Sequence, residues 1–272
     1  MEIKDKVALI TGAGSGIGQA VARDLIKRGV KAIALVDVND SVKALAAELS
    51  SNNGAGPKAE AFVGSVSDQD FCKSVYDQVG ERYGLVTICV PAAGITRDGL
   101  ATKLDKATGK VSIYPIELFR QVLDINLTAP VYWALEMVAR IAQDRHDRGL
   151  KRWDPDERMQ GTVIFIGSVS SQGNKGQISY AATKAGLEGV AATLQAEAIF
   201  HGVRCGVIHP GFTDTPMVRK LGEEYIEKYV LPYTQLRRLI RTEEIADAIC
   251  FMISNSAVSG ELWADAGWHP SP

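Results

Sequence analysis

The chain has 272 residues, 46% of them apolar and 23% charged, with a formal net charge of −2 at neutral pH. That length supports one large α/β domain or two small ones around a substantial core, and the near-zero charge, without a basic stripe interleaved with aromatics, excludes a general nucleic-acid binder. No apolar segment approaches a membrane span, and the start of the chain runs through Lys4-Asp5-Lys6 into a strand without a charged-then-apolar leader, so a soluble cytoplasmic protein without a membrane partner is expected.

Lys6 to Thr11 (KVALIT) reads as a buried strand, Gly12-Ala13-Gly14-Ser15-Gly16-Ile17-Gly18 as a turn, and Gln19 to Lys27 as an amphipathic helix. Strand, glycine turn and helix in that order make a pyrophosphate cradle: backbone N–H groups at a helix N-terminus face the anion, and residues without side chains let it approach. The glycines that set the spacing, G-x-x-x-G-x-G, are Gly12, Gly16 and Gly18. Ala32 to Val38 is a second strand that ends near Asp37, nineteen residues after Gly18. A carboxylate there accepts hydrogen bonds from both ribose hydroxyls of an adenosine and repels a 2′-phosphate, so NAD (NADH) is expected over NADP. Neither Ser15 nor Val38 is the Arg or Lys that would welcome that phosphate. A plainer role for Asp37, capping a helix from Asn39 or Ser41, is compatible with the first.

Ala59 to Val63 reads as the third strand, followed by Gly64-Ser65-Val66-Ser67-Asp68 and a helix to about Arg82; Val86 to Val90 is the fourth, ending in Pro91-Ala92-Ala93-Gly94. The link from Arg97 to Tyr114 is long, and its Leu104 to Val111 portion reads as a hairpin excursion. Leaving the C-terminal end of a strand, it is positioned to roof a ligand site. Its Arg97, Lys103, Lys106 and Lys110 either attract an anionic substrate or are simply solvated. Pro115 to about Arg148 is a long helical stretch in which Asn126, a poor helix former, sits between Ile125 and Leu127. The charged run from Asp144 to Arg158 reads as a solvated extension or oligomer contact away from the chemistry.

Thr162 to Ile166 is a strand buried on both faces that stops at Gly167-Ser168, and from Ile178 the small and helix-forming residues read as a helix. That helix carries Tyr180 and Lys184 four residues apart, on one face and about a turn apart. A phenol is a poor base at pH 7; bringing its pKa from about 10 to about 7 takes roughly 4 kcal/mol, about what one ammonium some 4 Å away supplies at an effective dielectric near 20. Lys184 is thus expected to make Tyr180 a proton donor and acceptor while Ser168 polarises a substrate oxygen. Taken alone the pattern is common by chance, and the plain alternative is a packed tyrosine beside a solvated lysine. Further on, Arg204 to His209 is a sixth strand that turns at Pro210-Gly211, Val218 to Arg241 carries Tyr225, Tyr229 and Tyr233, Thr242 opens another helix, and Gly260 to Ala264 is the last strand. Cys72, Cys89, Cys205 and Cys250 are scattered, as are His146, His201, His209 and His269, so free thiols and no metal are expected.

Ser168, Tyr180 and Lys184 resemble the active-site signature of the short-chain dehydrogenase/reductase family, and the glycine loop is similar to that family's own motif. The resemblance runs from Lys6 to Gly267. It implies an α/β fold: a Rossmann-like, doubly wound parallel sheet of about seven strands, a single domain over residues 1–272 with a substrate lid at about 212–241. It further implies reversible hydride transfer between the nicotinamide and a small-molecule alcohol or ketone. In that scheme Tyr180 exchanges the proton, Lys184 lowers its pKa and bonds the ribose, Ser168 orients the substrate, and Asn126 holds a water that links Lys184 to solvent.

By the same resemblance Ser65 stands where an aspartate often bonds the adenine, and Val66 packs near the ring. Ala93 and Gly94 leave space beside a ribose, while Pro210 and Gly211 shape a turn from which Thr213 and Thr215 clamp the carboxamide. Two features depart from the pattern. Ser168 precedes Tyr180 by twelve residues, one fewer than usual, which leaves Ser170 and Ser171 as competitors. Pro91-Ala92 replace the family's usual pair of asparagines, so the sheet must be braced by other means. A homotetramer or homodimer built on the two long central helices is implied, with Ala181, Ala185 and Gly189 allowing close packing. Gly173-Asn174, Gly176-Gln177 and Pro210-Gly211-Phe212 are similar to the branch that reduces 3-oxoacyl thioesters, whose usual NADPH is disfavoured by Asp37. A module that senses NAD without chemistry is the alternative of another class, and the intact Ser, Tyr, Lys and Asn set argues against it.

Overall fold

The computed structural model describes residues 1–50 and 56–268; His269 lies outside them. The chain runs β1 (Val7–Thr11), α1 (Gly16–Lys27), β2 (Ala32–Asp37), α2 (Ser41–Leu49), β3 (Lys58–Val63), α3 (Gln69–Tyr83) and β4 (Ile88–Pro91). Then come β5 (Thr102–Leu104), β6 (Val111–Ile113), α4 (Ile116–Leu123), a π-helical turn (Asp124–Thr128), α5 (Ala129–Asp147), β7 (Gly161–Ile166) and α6 (Ile178–Ala198). It closes with β8 (Val203–Pro210), α7 (Pro216–Arg219), α8 (Glu223–Tyr229), α9 (Thr242–Ser254) and β9 (Gly260–Ala264).

Seven strands form one sheet in the order β3-β2-β1-β4-β7-β8-β9, and every neighbouring pair in it is parallel. Its central strands are buried throughout, as runs such as VALIT and GTVIFI require once helices cover both faces. One apolar layer joins the sheet to α1, α2 and α9, the other joins it to α3, α5 and α6. Residues such as Leu9, Leu35 and Ile88, with essentially no exposure, contribute about 1.5–3 kcal/mol each. The chain winds outward from β1 to β3, then returns to place β4 on β1's other side. The turns after β1 and β4 therefore diverge, opening the crevice in which such sheets bind ligands.

Three sequence expectations are refined. The long helical stretch is divided: α4 and α5 are joined through the π turn that holds Asn126, so the poor helix former sits where the ladder is widened. The Arg97 to Tyr114 excursion does contain a hairpin, with β5 and β6 antiparallel and Lys103 opposite Ser112. The Asp144 to Arg158 run is not wholly solvated. Arg145 is 1% exposed and donates to both carboxylate oxygens of Glu157 and to the Lys151 carbonyl, which ties the run down and holds the Glu157 carboxyl at about 2 through that hydrogen-bonded guanidinium.

Candidate active site

A crevice of about 360 Å³ opens over the C-terminal ends of β1, β2 and β4. Gly12, Ser15, Gly16, Ile17 and Gly18 form its floor, and Asp37 closes one end beside Ser65 and Val66. Ala93, Gly94, Tyr180, Lys184 and Thr215 line the rest. A smaller cavity of about 140 Å³ adjoins it and is lined by Ser168, Tyr180, Pro210, Gly211, Thr213 and Thr215. Ile17, Ile166, Tyr180, Thr215 and Met217 face both spaces, so the phenol stands where they meet.

The glycines are demanded by the chain itself as well as by a ligand. A Cβ on Gly18 would lie 2.3 Å from the Gly12 carbonyl oxygen, and one on Gly12, whose φ is +66°, would lie 2.7 Å from the Ala93 Cα. The glycine loop, the start of α1 and the turn after β4 are thus pressed together, with the α1 N-terminus facing the crevice. Gly14, outside the three-glycine spacing, has a reason of its own: its N–H donates to Asp37 Oδ2 at 2.8 Å, and a Cβ there would sit 2.9 Å from the same oxygen. Asp37 Oδ1 accepts from Asn39 N at 2.9 Å. The expected cap is not formed by Asp37: α2 starts at Ser41, whose N–H donates to Asn39 Oδ1 at 2.9 Å, and each Asp37 oxygen keeps a second lone pair. Ser65 binds Ser67 locally, Oγ to Oγ at 2.8 Å.

Tyr180 and Lys184 project from one face of α6, with the ammonium 5.4 Å from the phenol ring centroid. Lys184 Nζ donates to the Ile166 carbonyl at 2.7 Å rather than to the phenol oxygen. This changes the electrostatics expected from the sequence. Burial pushes the Tyr180 phenol up to about 12, Asp98 adding to the rise and a hydrogen bond with Ser168 opposing it. Burial likewise pulls Lys184 down to about 8. In the chain by itself, desolvation outweighs the attraction between phenolate and ammonium, and both groups shift toward their neutral forms.

Of the three serines, Ser168 is the one that meets the phenol; its Oγ also accepts from Ser170 N at 3.1 Å. The Ser170 hydroxyl is turned to Gln177 Oε1 at 2.9 Å. Asn126 lines neither cavity. Its amide accepts from Ile95 N and donates to Ile95 O, each at 2.8 Å. With Thr11 Oγ1 accepting from Ala93 N at 3.2 Å, it supplies the bracing that Pro91-Ala92 lack. This clasp uses one lone pair of Oδ1 and one N–H of Nδ2, and each end of the amide keeps a second hydrogen-bonding position.

Thr213 Oγ1 donates to the Gly211 carbonyl at 3.0 Å, and Thr215 Oγ1 accepts from Val218 N at 3.3 Å as the cap of α7. Within the expected lid, Met217, Val218 and Leu221 line the smaller cavity. Tyr225, Tyr229 and Tyr233 are exposed and line neither space, while Ile226, Val230 and Leu239 bury a small core beneath them.

What the sequence reading missed is the polar wall of the smaller cavity. Gln177 Nε2 donates to Asp98 Oδ2 at 3.1 Å, and its Oε1 accepts from Asn174 Nδ2 at 3.0 Å. The excursion contributes Asp98 to this cavity, beside Thr96 just before it, and none of the four basic residues named above; β5 and β6 are exposed along their whole length. A carboxylate stands where an anion-attracting cation had been considered. Gly99 N donating to Gly176 O at 2.8 Å pins that segment to the loop before α6, and nothing in the spacing of Asp98 and Gln177 along the chain signals it.

Comparison with known proteins agrees with this geometry. The family described as short chain dehydrogenase matches residues 6–226. Among curated relatives, the 3-oxoacyl-[acyl-carrier-protein] reductase FabG of Escherichia coli is 31% identical over 264 residues, 96% of each chain. The Thermotoga maritima FabG is 31% identical over 265 residues with the same coverage, and the acetoacetyl-CoA reductase of Synechocystis is 30% identical over 271 residues, 98% of this chain and 97% of that one. A solved structure described as a ribose-5-phosphate isomerase from Brucella melitensis superposes with a TM-score of 0.80 at 24% identity, covering 98% of this chain and 93% of the other, a likeness of fold. No helix among the described residues is long and apolar enough to cross a membrane.

Proposed function

Because the chain belongs to the short-chain dehydrogenase/reductase family and is therefore a nicotinamide-dependent oxidoreductase, we propose that it reduces a ketone reversibly to a secondary alcohol, with Tyr180 as the proton donor. One observation carries the reading: Tyr180 faces both cavities, with Lys184 lining the larger and Ser168 the smaller. The Gly12 to Gly18 loop, Asp37, Ser65, Val66, Ala93, Gly94, Lys184, Thr213 and Thr215 hold the dinucleotide in this reading. A bound nicotinamide supplies or accepts the hydride. The chain's own residues do the rest.

Ser168 holds the substrate oxygen beside the phenol, and Tyr180 delivers its proton to the oxygen that becomes the hydroxyl. A phenol raised to about 12 begins reduction in the protonated state that donation needs. Oxidation runs through the same group in reverse and gains as the phenol is ionised. Asp37 presents its charge to the adenosine end of the crevice, which favours NAD(H) over NADP(H). The substrate read most directly from the relatives is a 3-oxoacyl thioester, the smaller cavity being lined by apolar Val169, Phe212 and Leu221 together with polar Asn174 and Gln177. A homodimer or homotetramer on α5 and α6 belongs to the same reading, Tyr132 and Leu135 being apolar side chains that α5 leaves exposed.

The test is Tyr180→Phe, assayed with acetoacetyl-CoA and a panel of small ketones against NADH and NADPH. Turnover should drop at least about a hundredfold while NADH binding, followed by its fluorescence, is retained. Equal turnover would remove the phenol from the mechanism, and NADH binding without turnover of any carbonyl by the wild type would favour a sensing module.

A further inference from the structure

Beside the main chain of Ser168, and lining neither cavity, three metal-ligating side chains converge. His209 near the end of β8 is fully buried, and Trp263 of β9 stacks on its ring at 4.1 Å with the planes 13° apart. Glu261, paired with Val207 one alternation earlier on the neighbouring strand, points from the same face of the sheet. Glu188 reaches this face from α6, four residues beyond Lys184. His209 Nε2 lies 3.2 Å from Glu261 Oε2 and 3.8 Å from Glu188 Oε1, and the three ligand atoms all fall within 4.8 Å of one another.

Among the described residues no other group of three such side chains converges in this way. His209 Nε2 and Glu188 Oε1 are both buried without a hydrogen-bond partner, an arrangement that costs roughly 1–3 kcal/mol for each such group unless something satisfies it. Two carboxylates and an imidazole nitrogen directed at one point call for a positive charge between them.

We propose that Glu188, His209 and Glu261 bind one divalent transition-metal cation of the zinc type, with solvent reaching the open coordination position past Glu261, whose side chain is 41% exposed. Tetrahedral zinc with bonds of about 2.0–2.2 Å separates its ligand atoms by roughly 3.4 Å. The two observed His–Glu spacings bracket that value, and a side-chain rotation of the carboxylates closes the remaining gap. On the far side of the imidazole, His209 Nδ1 lies 3.3 Å from both the Ser168 N–H and the Ser168 carbonyl oxygen; a metal on Nε2 selects the tautomer in which Nδ1–H donates to that carbonyl, the kind of backbone acceptor a metal-bound histidine commonly uses. A cation here is thereby tied to the main chain of Ser168 without touching a substrate, and its binding does not depend on the reaction proposed above.

The untagged, chelator-dialysed chain titrated with zinc chloride by calorimetry tests this. One zinc per chain is expected, with a Tm that rises with zinc by mass action. Glu261→Gln, on an exposed edge strand, should weaken zinc binding at least about tenfold while leaving the metal-free Tm and NADH affinity as in the wild type; Glu188→Gln should weaken it likewise. Absence of binding at about 100 µM zinc, a concentration that would fill any site of micromolar affinity, would overturn the proposal. Undiminished binding by both variants would overturn it too, by putting the metal on other residues.

Discussion

The two cavities that meet at Tyr180 are built by different means. The larger is shaped by main chain: the turn after β1, the turn after β4 and the N-terminus of α1 are packed so tightly that Gly12 and Gly18 leave no space for a Cβ. The smaller is lined by side chains from distant segments, among them the hydrogen-bonded Asp98, Asn174 and Gln177 and the apolar Phe212 and Leu221. Main-chain geometry of this kind admits almost no alternative residues. A side-chain wall tolerates exchange, because each member contributes one contact among many.

The contrast is most severely tested by Gly18→Ala. Its new Cβ has only the Gly12 carbonyl to displace, so a stability loss on the order of 3 kcal/mol or more is expected, with NADH binding lost; thermal unfolding and nucleotide fluorescence measure both. A variant as stable as wild type would mean that the glycine floor is more compliant than its contacts suggest. Asp37→Ala should come next. The ratio of kcat/KM for NADH over NADPH should fall by at least about tenfold, and loss of the hydrogen bonds from Gly14 and Asn39 should lower stability by about 2–3 kcal/mol. A variant that still rejects NADPH as strongly would assign the preference to another group.

The pH profile comes third and addresses the junction itself. Lys184, pulled down to about 8 by burial, loses its charge in the free protein at lower pH than an exposed lysine does, whereas Tyr180 stays protonated up to about 12. If the ammonium assists, kcat/KM for reduction should hold below about pH 8 and fall up to tenfold per unit above it. The same shift acts on stability. With a folded-state pKa below the unfolded value, protonated Lys184 is a destabilising group at pH below about 8, and that penalty is relieved as pH rises toward about 10.4, the ordinary lysine value. A flat activity profile to pH 10 would deny the ammonium a part. The smallest effect is expected from Gln177→Ala in the side-chain wall: a change in KM for the carbonyl of about fivefold, equivalent to about 1 kcal/mol, with NADH affinity unchanged. A loss as large as that of Gly18→Ala would erase the distinction between the two cavities.

Legibility in the sequence follows the same division. The glycine loop, Asp37, and the Tyr180 and Lys184 pair were readable because each is a short pattern whose geometry is fixed by a single turn or helix. The individual strands and helices were readable as apolar runs alternating with helical stretches, and the seven-stranded parallel sheet followed from the family resemblance. Gly14 escaped notice because its constraint comes from a side chain in β2, and Asp98 because the excursion's basic residues are denser in the sequence than its one inward-facing acid.

The sequence by itself determined the order of the strands and helices, the glycine floor of the crevice and the placing of Tyr180 and Lys184 on one helix face, since these are properties of residues within a few positions of one another. Only the tertiary structure decided that Asn126 clasps Ile95, that burial opposes the tuning of Tyr180 by Lys184, and that Glu188, His209 and Glu261 converge beside the main chain of Ser168. Each of those depends on the distance and the dielectric between groups that folding brings together from far apart in the chain, and no local pattern encodes either quantity.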